Sequence, residues 1–186
     1  MTVYQNLDSP ATRNMKGIPM DNAWQSLLPY AAALGIGATL IMDAWALLLK
    51  RAFDIPSLDY AMVGRWLGHL PRGHFRHDGI GRSAPIAGEK TLGWAAHYLI
   101  GILFAYLLLA LCGPGWLIRP TPLPALAFGL VSVTAPFLIL QPGMGAGIAA
   151  RNTPNPNTAR VRSLAAHAAF GTGLYFSALL LAIFLA

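Results

Sequence analysis

The stretch "GATLIMDAWALLLK", residues 37–50, places the carboxylate of Asp43 inside an apolar segment that begins at Leu27 and continues to Leu49. This length matches the roughly 20 residues that a helix needs to cross about 30 Å of hydrocarbon. A charged side chain near the centre of such a helix costs roughly 2.5–3.5 kcal/mol on insertion scales. We therefore expect Asp43 to have a partner in the folded protein or a task in its function.

The composition of the whole chain indicates an integral membrane protein. Of its 186 residues, 55% are hydrophobic and 11% are charged, whereas about a quarter of the residues in a soluble domain are charged. Four apolar segments are long enough to span a bilayer, at approximately 27–49, 93–113, 123–141 and 163–185. We predict an all-α, polytopic membrane protein: a polar N-terminal tail over residues 1–26, and a single four-helix membrane domain over residues 27–186.

The basic residues predict the orientation of this bundle. Ten of them cluster in the loops after the first and third spans: Lys50, Arg51, Arg65, Arg72, Arg76, Arg82, Lys90, Arg151, Arg160 and Arg162. By the positive-inside rule both loops are cytoplasmic, and both termini lie on the opposite side. Loop asymmetry explains the net charge of +6, so we expect a lipid bilayer and no nucleic acid as partner.

The first cytoplasmic loop contains an amphipathic segment. In "DIPSLDYAMVGRWLGHL", residues 54–70, apolar residues recur at the spacing of one helix face. Asp54 and Pro56 provide a helix start, and Arg65 falls on the other face. The pattern predicts a short helix lying along the membrane interface, or packed under the bundle.

Polar residues within the spans recur on faces that also carry small residues. These faces contain Thr39 and Asp43 in the first span, His97 and Gly101 in the second, and His167, Gly171 and Tyr175 in the fourth. Residues four apart share one helix face, and small residues let membrane helices approach closely. With a rise of about 1.5 Å per residue, Asp43, His97 and His167 fall at similar depth in the cytoplasmic half. Gln141 ends the third span on the same side, so we expect all four to converge.

These residues and a few in the loops are candidates for binding a ligand or metal. The candidate ligands are Asp43, His97, His167, His77, Asp78 and Glu89, and the supporting residues are Thr39, Gln141, Arg151 and Tyr175. Simpler roles remain open. Each histidine could bond a neighbouring helix, Asp43 could be satisfied by a structural hydrogen bond, and Glu89 could cap the second span.

Five segments together resemble a known family. They are "GATLIMD", "HDGI", "GEKTLGWAAHYLIG", "QPGMGAGIAARNTPNP" and "HAAFGTGLY". The pattern resembles an uncharacterised family of small bacterial inner-membrane proteins, the domain of unknown function numbered 2938, over roughly residues 27–180. The resemblance implies a multi-pass protein of the bacterial inner (plasma) membrane, which with the charge pattern places both termini in the periplasm. It implies no catalytic residues, so whether the protein is an enzyme stays open.

Three functions are compatible with the residues. Imidazole and carboxylate side chains could bind a metal ion or cofactor, with zinc, iron or haem as candidates, and such a site could be catalytic. The protein could instead be a non-catalytic accessory subunit or assembly factor of a larger membrane complex. It could also transport a small solute or protons through an intramembrane Asp and His relay. Four helices are few for transport, so that function requires self-association.

Overall fold

The computed structural model describes residues 25–185 of the chain. Four of its helices are long and apolar enough to cross a membrane: Leu28–Phe53, Glu89–Cys112, Pro122–Gly143 and Pro156–Leu185. No β-strand occurs within these described residues. The prediction of an all-α four-helix membrane bundle is therefore confirmed, whereas most of the predicted N-terminal tail, residues 1–24, lies outside the described part.

We number the helices in chain order. The α-helices are α1 (Leu28–Phe53), α2 (Tyr60–His69), α3 (Glu89–Cys112), α4 (Gly115–Ile118), α5 (Pro122–Ser132), α6 (Gln141–Gly143) and α7 (Pro156–Leu185). Short 3₁₀ turns lie at Leu70–Arg72, Ile80–Arg82 and Ile148–Ala150. The third span consists of α5, a π-helical turn at Pro136–Leu140 and α6.

The short loop helix α2 forms where an amphipathic segment was predicted, but it starts later. Its N-cap is Asp59, whose side chain accepts a hydrogen bond from the backbone N–H of Ala61 at 2.9 Å. A capping side chain of this type satisfies one of the free amides of the first turn. The expected start at Asp54 is wrong, since Asp54 instead ends α1 in a left-handed conformation.

Pro136 explains the irregular third span. Proline has no N–H and its ring clashes with the preceding turn, so a regular α-helix cannot continue through it. The chain widens into the π-helical turn Pro136–Leu140 and then resumes as α6. The span remains one membrane-crossing element, Pro122–Gly143.

Facing glycines set the distances between helices. Helix α1 packs against α3 and α7, α5 packs against α7, and α2 packs against α3. A methyl group added to Gly129 would come within 2.5 Å of the Cα atom of Gly171, and one added to Gly35 would collide with Ile102 on α3. In lipid the hydrophobic effect does not drive helices together. The close backbone contact at these glycines provides van der Waals attraction that stabilises the helix pairs instead.

The apolar core lies toward one end of the bundle. Its buried members include Leu34 on α1, Leu109 on α3, Leu117 on α4 and Leu174 on α7. We call this the α4 end. The opposite end carries residues 54–88 and 144–155 and is called the loop end. The polar residues singled out in the sequence lie mostly toward the loop end.

Candidate functional site

Asp43 is bonded to two successive residues of the neighbouring helix. Its Oδ1 atom lies 3.0 Å from Nε2 of His97, and its Oδ2 atom accepts a hydrogen bond from the hydroxyl of Tyr98 at 3.0 Å. Both partners belong to α3, which packs along α1. The costly carboxylate thus has its partners inside the membrane domain, as a buried charge requires.

The bonds to Asp43 determine which nitrogen of His97 carries the proton. An ionised carboxylate only accepts hydrogen bonds, so the neutral form of His97 carries its hydrogen on Nε2. The other nitrogen, Nδ1, then carries the lone pair, and it has no hydrogen-bond partner among residues 25–185. It also is not one of the fully buried unpartnered atoms. His97 is therefore oriented by Asp43 and can accept a proton at Nδ1.

Tyr60 adds a third helix to this group. Its hydroxyl lies 2.9 Å from Nε2 of His97, and the two rings stack with centroids 4.2 Å apart. Trp94 packs on the same tyrosine with ring centroids at 4.5 Å. Burial, and then the nearby charge and hydrogen bonding of Asp43, raise the pKa of Tyr60. Tyr60 therefore keeps its hydroxyl proton at physiological pH. We call Asp43, His97, Tyr98 and Tyr60 the Asp43 cluster.

The Asp43 cluster is only partly enclosed. The side chain of His97 is 13% exposed and that of Asp43 is 21% exposed. A structural ion pair in lipid gains from complete enclosure, because each exposed polar atom faces hydrocarbon.

His167 lies in a separate hydrogen-bonded group. Its Nδ1 atom is 2.7 Å from the hydroxyl oxygen of Ser132 on α5, and that hydroxyl donates to the carbonyl of Gly129 at 2.6 Å. The expected convergence of four residues is thus divided: Asp43 and His97 meet directly, whereas His167 bonds the third span.

Gln141 also joins the third span to α7. Its Nε2 donates to the hydroxyl oxygen of Ser163 at 3.4 Å, and its Oε1 is buried without a hydrogen-bond partner among the described residues. Ser163 and His167 are four residues apart and share a face of α7. Gln141 is therefore grouped with His167 and does not bond the Asp43 cluster.

An ion pair between Arg65 and Glu89 organises the loop end. Nε and the Nη2 atom of Arg65 donate to the two carboxylate oxygens of Glu89 at 2.8 and 2.7 Å. Nη1 donates to the backbone carbonyl of Ser83 at 3.1 Å, and Glu89 also accepts from the amide of Ile86 at 3.0 Å. These bonds to Glu89 raise the pKa of the Arg65 guanidinium. One buried arginine therefore fixes α2, the following loop and the start of α3 together.

Arg65 is buried, although it lies on the other face of α2 from the recurring apolar residues. The residue is only 7% exposed. Helical spacing separates polar from apolar positions, but it does not reveal a distant carboxylate such as Glu89 that pairs with the arginine. The bidentate geometry of arginine and carboxylate makes burial tolerable here.

The loop histidine and its neighbour do not face the membrane site. His77 bonds the hydroxyl of Ser83 through Nδ1 at 2.8 Å, and its backbone N–H donates to the carbonyl of Gly143 at 3.0 Å. Gly145, with φ of +94°, lies directly against Gly79 and the carbonyl of His77. The two glycine-rich loops thus pack on each other. Asp78 is exposed.

The supporting residues have different positions. Thr39 is 1% exposed and packs against Gly101 at the crossing of α1 and α3, one turn from Asp43. Tyr175 packs against the apolar core. Arg151 is exposed in the loop before α7. Only Thr39 therefore lies beside the Asp43 cluster.

The candidate metal ligands are divided among separate parts of the described structure. Across the described range no group of three or more His, Cys, Asp or Glu side chains is placed to hold a metal ion. Asp43 and His97 supply two such groups, and His167 uses one nitrogen for Ser132. A haem bound through Nε2 of His97 would have to displace the bond from that atom to Asp43.

Sequence reasoning did not select the tyrosines of the cluster. Tyr98 directly follows His97, and Tyr60 directly follows the N-cap of α2. Adjacent residues on a helix point about 100° apart, so adjacency alone gave no reason to place Tyr98 on the Asp43 side. Tyr60 belongs to another element, and only the packing of α2 on α3 brings it to His97.

The fold and the cluster define a multi-pass α-helical membrane protein with an Asp–His–Tyr site between three of its helices. Residues 32–181 match the family model described as "Protein of unknown function (DUF2938)". The match covers most of the chain, so the protein belongs to this family. No curated protein and no solved structure matches the chain significantly.

Proposed function

We propose that the protein is a proton-linked membrane transporter in which His97 takes up and releases the proton. The observation that carries the proposal is the bonding of Asp43 to Nε2 of His97 at 3.0 Å, together with the unpartnered Nδ1 atom. Protonation of Nδ1 makes an imidazolium that Asp43 stabilises as an ion pair. Intramembrane Asp and His pairs serve this purpose in pumps and exchangers.

Tyr60 provides a way to couple this proton to movement. It contacts His97 from α2, and α2 is tied to the loops through Arg65. A change in the charge of His97 alters the bond to Tyr60, and hence the preferred position of α2. A proton can shift a conformational equilibrium only through such a difference in contacts. Helix α2 and the adjoining loops would then act as the gate at the loop end.

The setting of this activity follows from the charge pattern and the four spans. We propose that the loop end faces the cytoplasm of a bacterium, that both termini are periplasmic, and that the protein lies in the inner membrane. Four helices supply few surfaces for alternating access, so the working unit is an oligomer of this chain.

A flux assay tests the proton proposal. The protein is reconstituted in vesicles that contain a pH-sensitive dye, and a potassium gradient with valinomycin drives protons inward. Wild type should acidify the lumen faster than empty vesicles, and Asp43→Asn should fall to the rate of empty vesicles. Asp78→Asn is the matched control, because it removes one exposed carboxylate of the same kind. Equal rates for wild type and Asp43→Asn would reject the proposal.

Cys112 tests the orientation. It is the only cysteine of the chain, and it is exposed at the α4 end. A membrane-impermeant maleimide should label it in intact cells whose outer membrane has been opened. With Cys112→Ala as background, a cysteine introduced by Asp78→Cys should react only after the inner membrane is permeabilised. The opposite labelling pattern would mean that the loop end faces the periplasm and would reject the proposed orientation.

A second function is favoured by the completeness of the hydrogen bonds. Both oxygens of Asp43 already accept bonds from this chain, as expected if the cluster only fastens helices in an accessory subunit of a larger complex. In that case wild type gives no flux, and Asp43→Asn lowers the thermal unfolding midpoint and the amount of any co-purifying complex. Flux that depends on Asp43 would exclude this alternative.

A further inference from the structure

A second group of polar atoms between the third span and α7 lacks partners. The hydroxyl hydrogen of Ser132 is donated to the carbonyl of Gly129, so Ser132 must accept from Nδ1–H of His167. The lone pair of His167 therefore lies on Nε2. That atom has no hydrogen-bond partner in the described part of the chain, and it is not among the sealed unpartnered atoms.

Gln141 presents another free acceptor close by. Its amide nitrogen donates to Ser163, one turn from His167 on the same face of α7. Its Oε1 atom is buried and receives no hydrogen bond from residues 25–185. The third span and α7 thus each carry one of two unpartnered acceptors.

Trp45 contributes an unpartnered donor from α1. Its Nε1 atom is buried and has no acceptor in the part of the chain that the structure describes. Gly173 of α7 packs against Ala38 and Ile41 of α1, and Trp45 follows Ile41 by four residues on the same face. Because the two helices run in opposite directions, Trp45 lies beside α7 about one turn nearer the loop end than Gly173, close to the level of His167.

We infer that Gln141, His167 and Trp45 form a binding site for a small solute rich in hydrogen-bond donors, carrying a primary ammonium or several hydroxyl groups. Buried unpartnered polar atoms are costly and rare in native structures, and they call for a ligand or an ordered water. Two acceptors against one donor select a ligand that donates more than it accepts, which disfavours anions. The site contains neither Asp43 nor His97, so it does not rest on the proposed proton site.

Thermal unfolding of the full chain in mild detergent tests the inference. The probes are ethylammonium chloride, glycerol and sodium phosphate, compared at matched ionic strength. A rise in the unfolding midpoint with ethylammonium alone assigns an ammonium site, and a rise with glycerol alone assigns a polyol site. No rise with either, or a larger rise with phosphate, overturns the inference and leaves these atoms to ordered water.

Two substitutions at Gln141 separate binding from a general solvent effect. Gln141→Leu removes the acceptor and should raise the dissociation constant of the solute about tenfold, the loss expected for one good hydrogen bond. If that variant does not fold, Gln141→Glu should tighten ethylammonium binding and leave glycerol binding weaker. The control is Thr134→Val, on the exposed side of the same span. Equal responses in all variants would reject a specific site.

Asp43→Asn distinguishes the two proposals. The midpoint shift caused by the solute should survive this substitution, because Asp43 bonds α3 and not the third span. Loss of flux with a retained shift supports both sites. Loss of the shift in Asp43→Asn would show that only one site exists, and it would overturn the inference of a second.

Discussion

The α4 end and the loop end of the bundle are stabilised by different interactions. At the α4 end, Leu34, Leu109 and Leu174 are fully buried among helices that approach closely. At the loop end the buried side chains include Arg65 and His69, and hydrogen bonds join the elements. Lipid is as apolar as leucine, so apolar side chains stabilise the bundle through close van der Waals packing. Hydrogen bonds, in contrast, determine which residues of neighbouring helices pair. We infer that apolar packing at the α4 end stabilises the fold, whereas the loop end can adopt more than one conformation.

The largest expected effect is at the ion pair of the loop end. Arg65→Met leaves Glu89 without its partner and frees α2 from the loop that follows it. The backbone amides of α2 should then exchange with deuterium far faster than in wild type, with little change in α1. Arg76→Met, an exposed arginine of the same loop, is the control. Unchanged protection of the α2 amides from exchange would show that Arg65 does not hold α2 against the following loop.

A tight helix crossing shows the contrasting behaviour of pure packing. Gly129→Ala places a methyl group 2.5 Å from the Cα atom of Gly171. The overpacking should cost about 1–3 kcal/mol, or about 2–4 °C in the unfolding midpoint for each kcal/mol. Gly115→Ala meets no atom within 4 Å and should change stability by less than about 0.5 kcal/mol. Similar midpoints for the two variants would mean that the α5–α7 crossing is looser than described.

Tyr60 predicts a smaller, pH-dependent effect. Because burial and Asp43 raise its pKa in the folded protein, the unfolded chain loses this proton first as the pH rises past about 10. The stabilisation is therefore complete below that pH and declines above it. Unfolding midpoints measured from pH 8 to pH 11 should fall more steeply for wild type than for Tyr60→Phe. Parallel curves of unfolding midpoint against pH for the two proteins would show that Tyr60 is not buried beside Asp43.

The smallest effect is expected for one hydrogen bond of the cluster. Tyr98→Phe removes the donor to Oδ2 of Asp43, and interhelical hydrogen bonds in membranes contribute about 0.6 kcal/mol on average. A double-mutant cycle with Asp43→Asn should recover a coupling of that size. Coupling near zero would show that Tyr98 does not hold the carboxylate, whereas a much larger value would mean that it positions the whole cluster.

Sequence reasoning predicted the spans well because each is a property of a continuous segment. Length and hydropathy alone predict four crossings, and a charge inside one of them marks Asp43 as a residue that needs a partner. The partner could not be chosen from sequence. His97 and His167 have similar depth and similar faces, yet only His97 bonds Asp43, because the choice depends on which helices are neighbours and how each is rotated.

The loop end was less predictable for the same reason. An amphipathic pattern predicted α2, but the burial of Arg65 depends on Glu89, which lies 24 residues further along the chain. The interruption at Pro136 could be anticipated from proline itself, whereas the bond between Ser132 and His167 joins two separate spans.

By itself, the sequence determined that this chain forms four apolar membrane helices with basic loops on one side and one carboxylate that must be compensated. These features depend on local hydropathy and on charge, which each segment carries whatever its neighbours are. The tertiary structure decided that Asp43 belongs with His97, Tyr98 and Tyr60, and that His167 belongs with Ser132. Hydrogen bonds require atoms within about 3 Å of one another, and only the packed arrangement of helices brings distant residues that close.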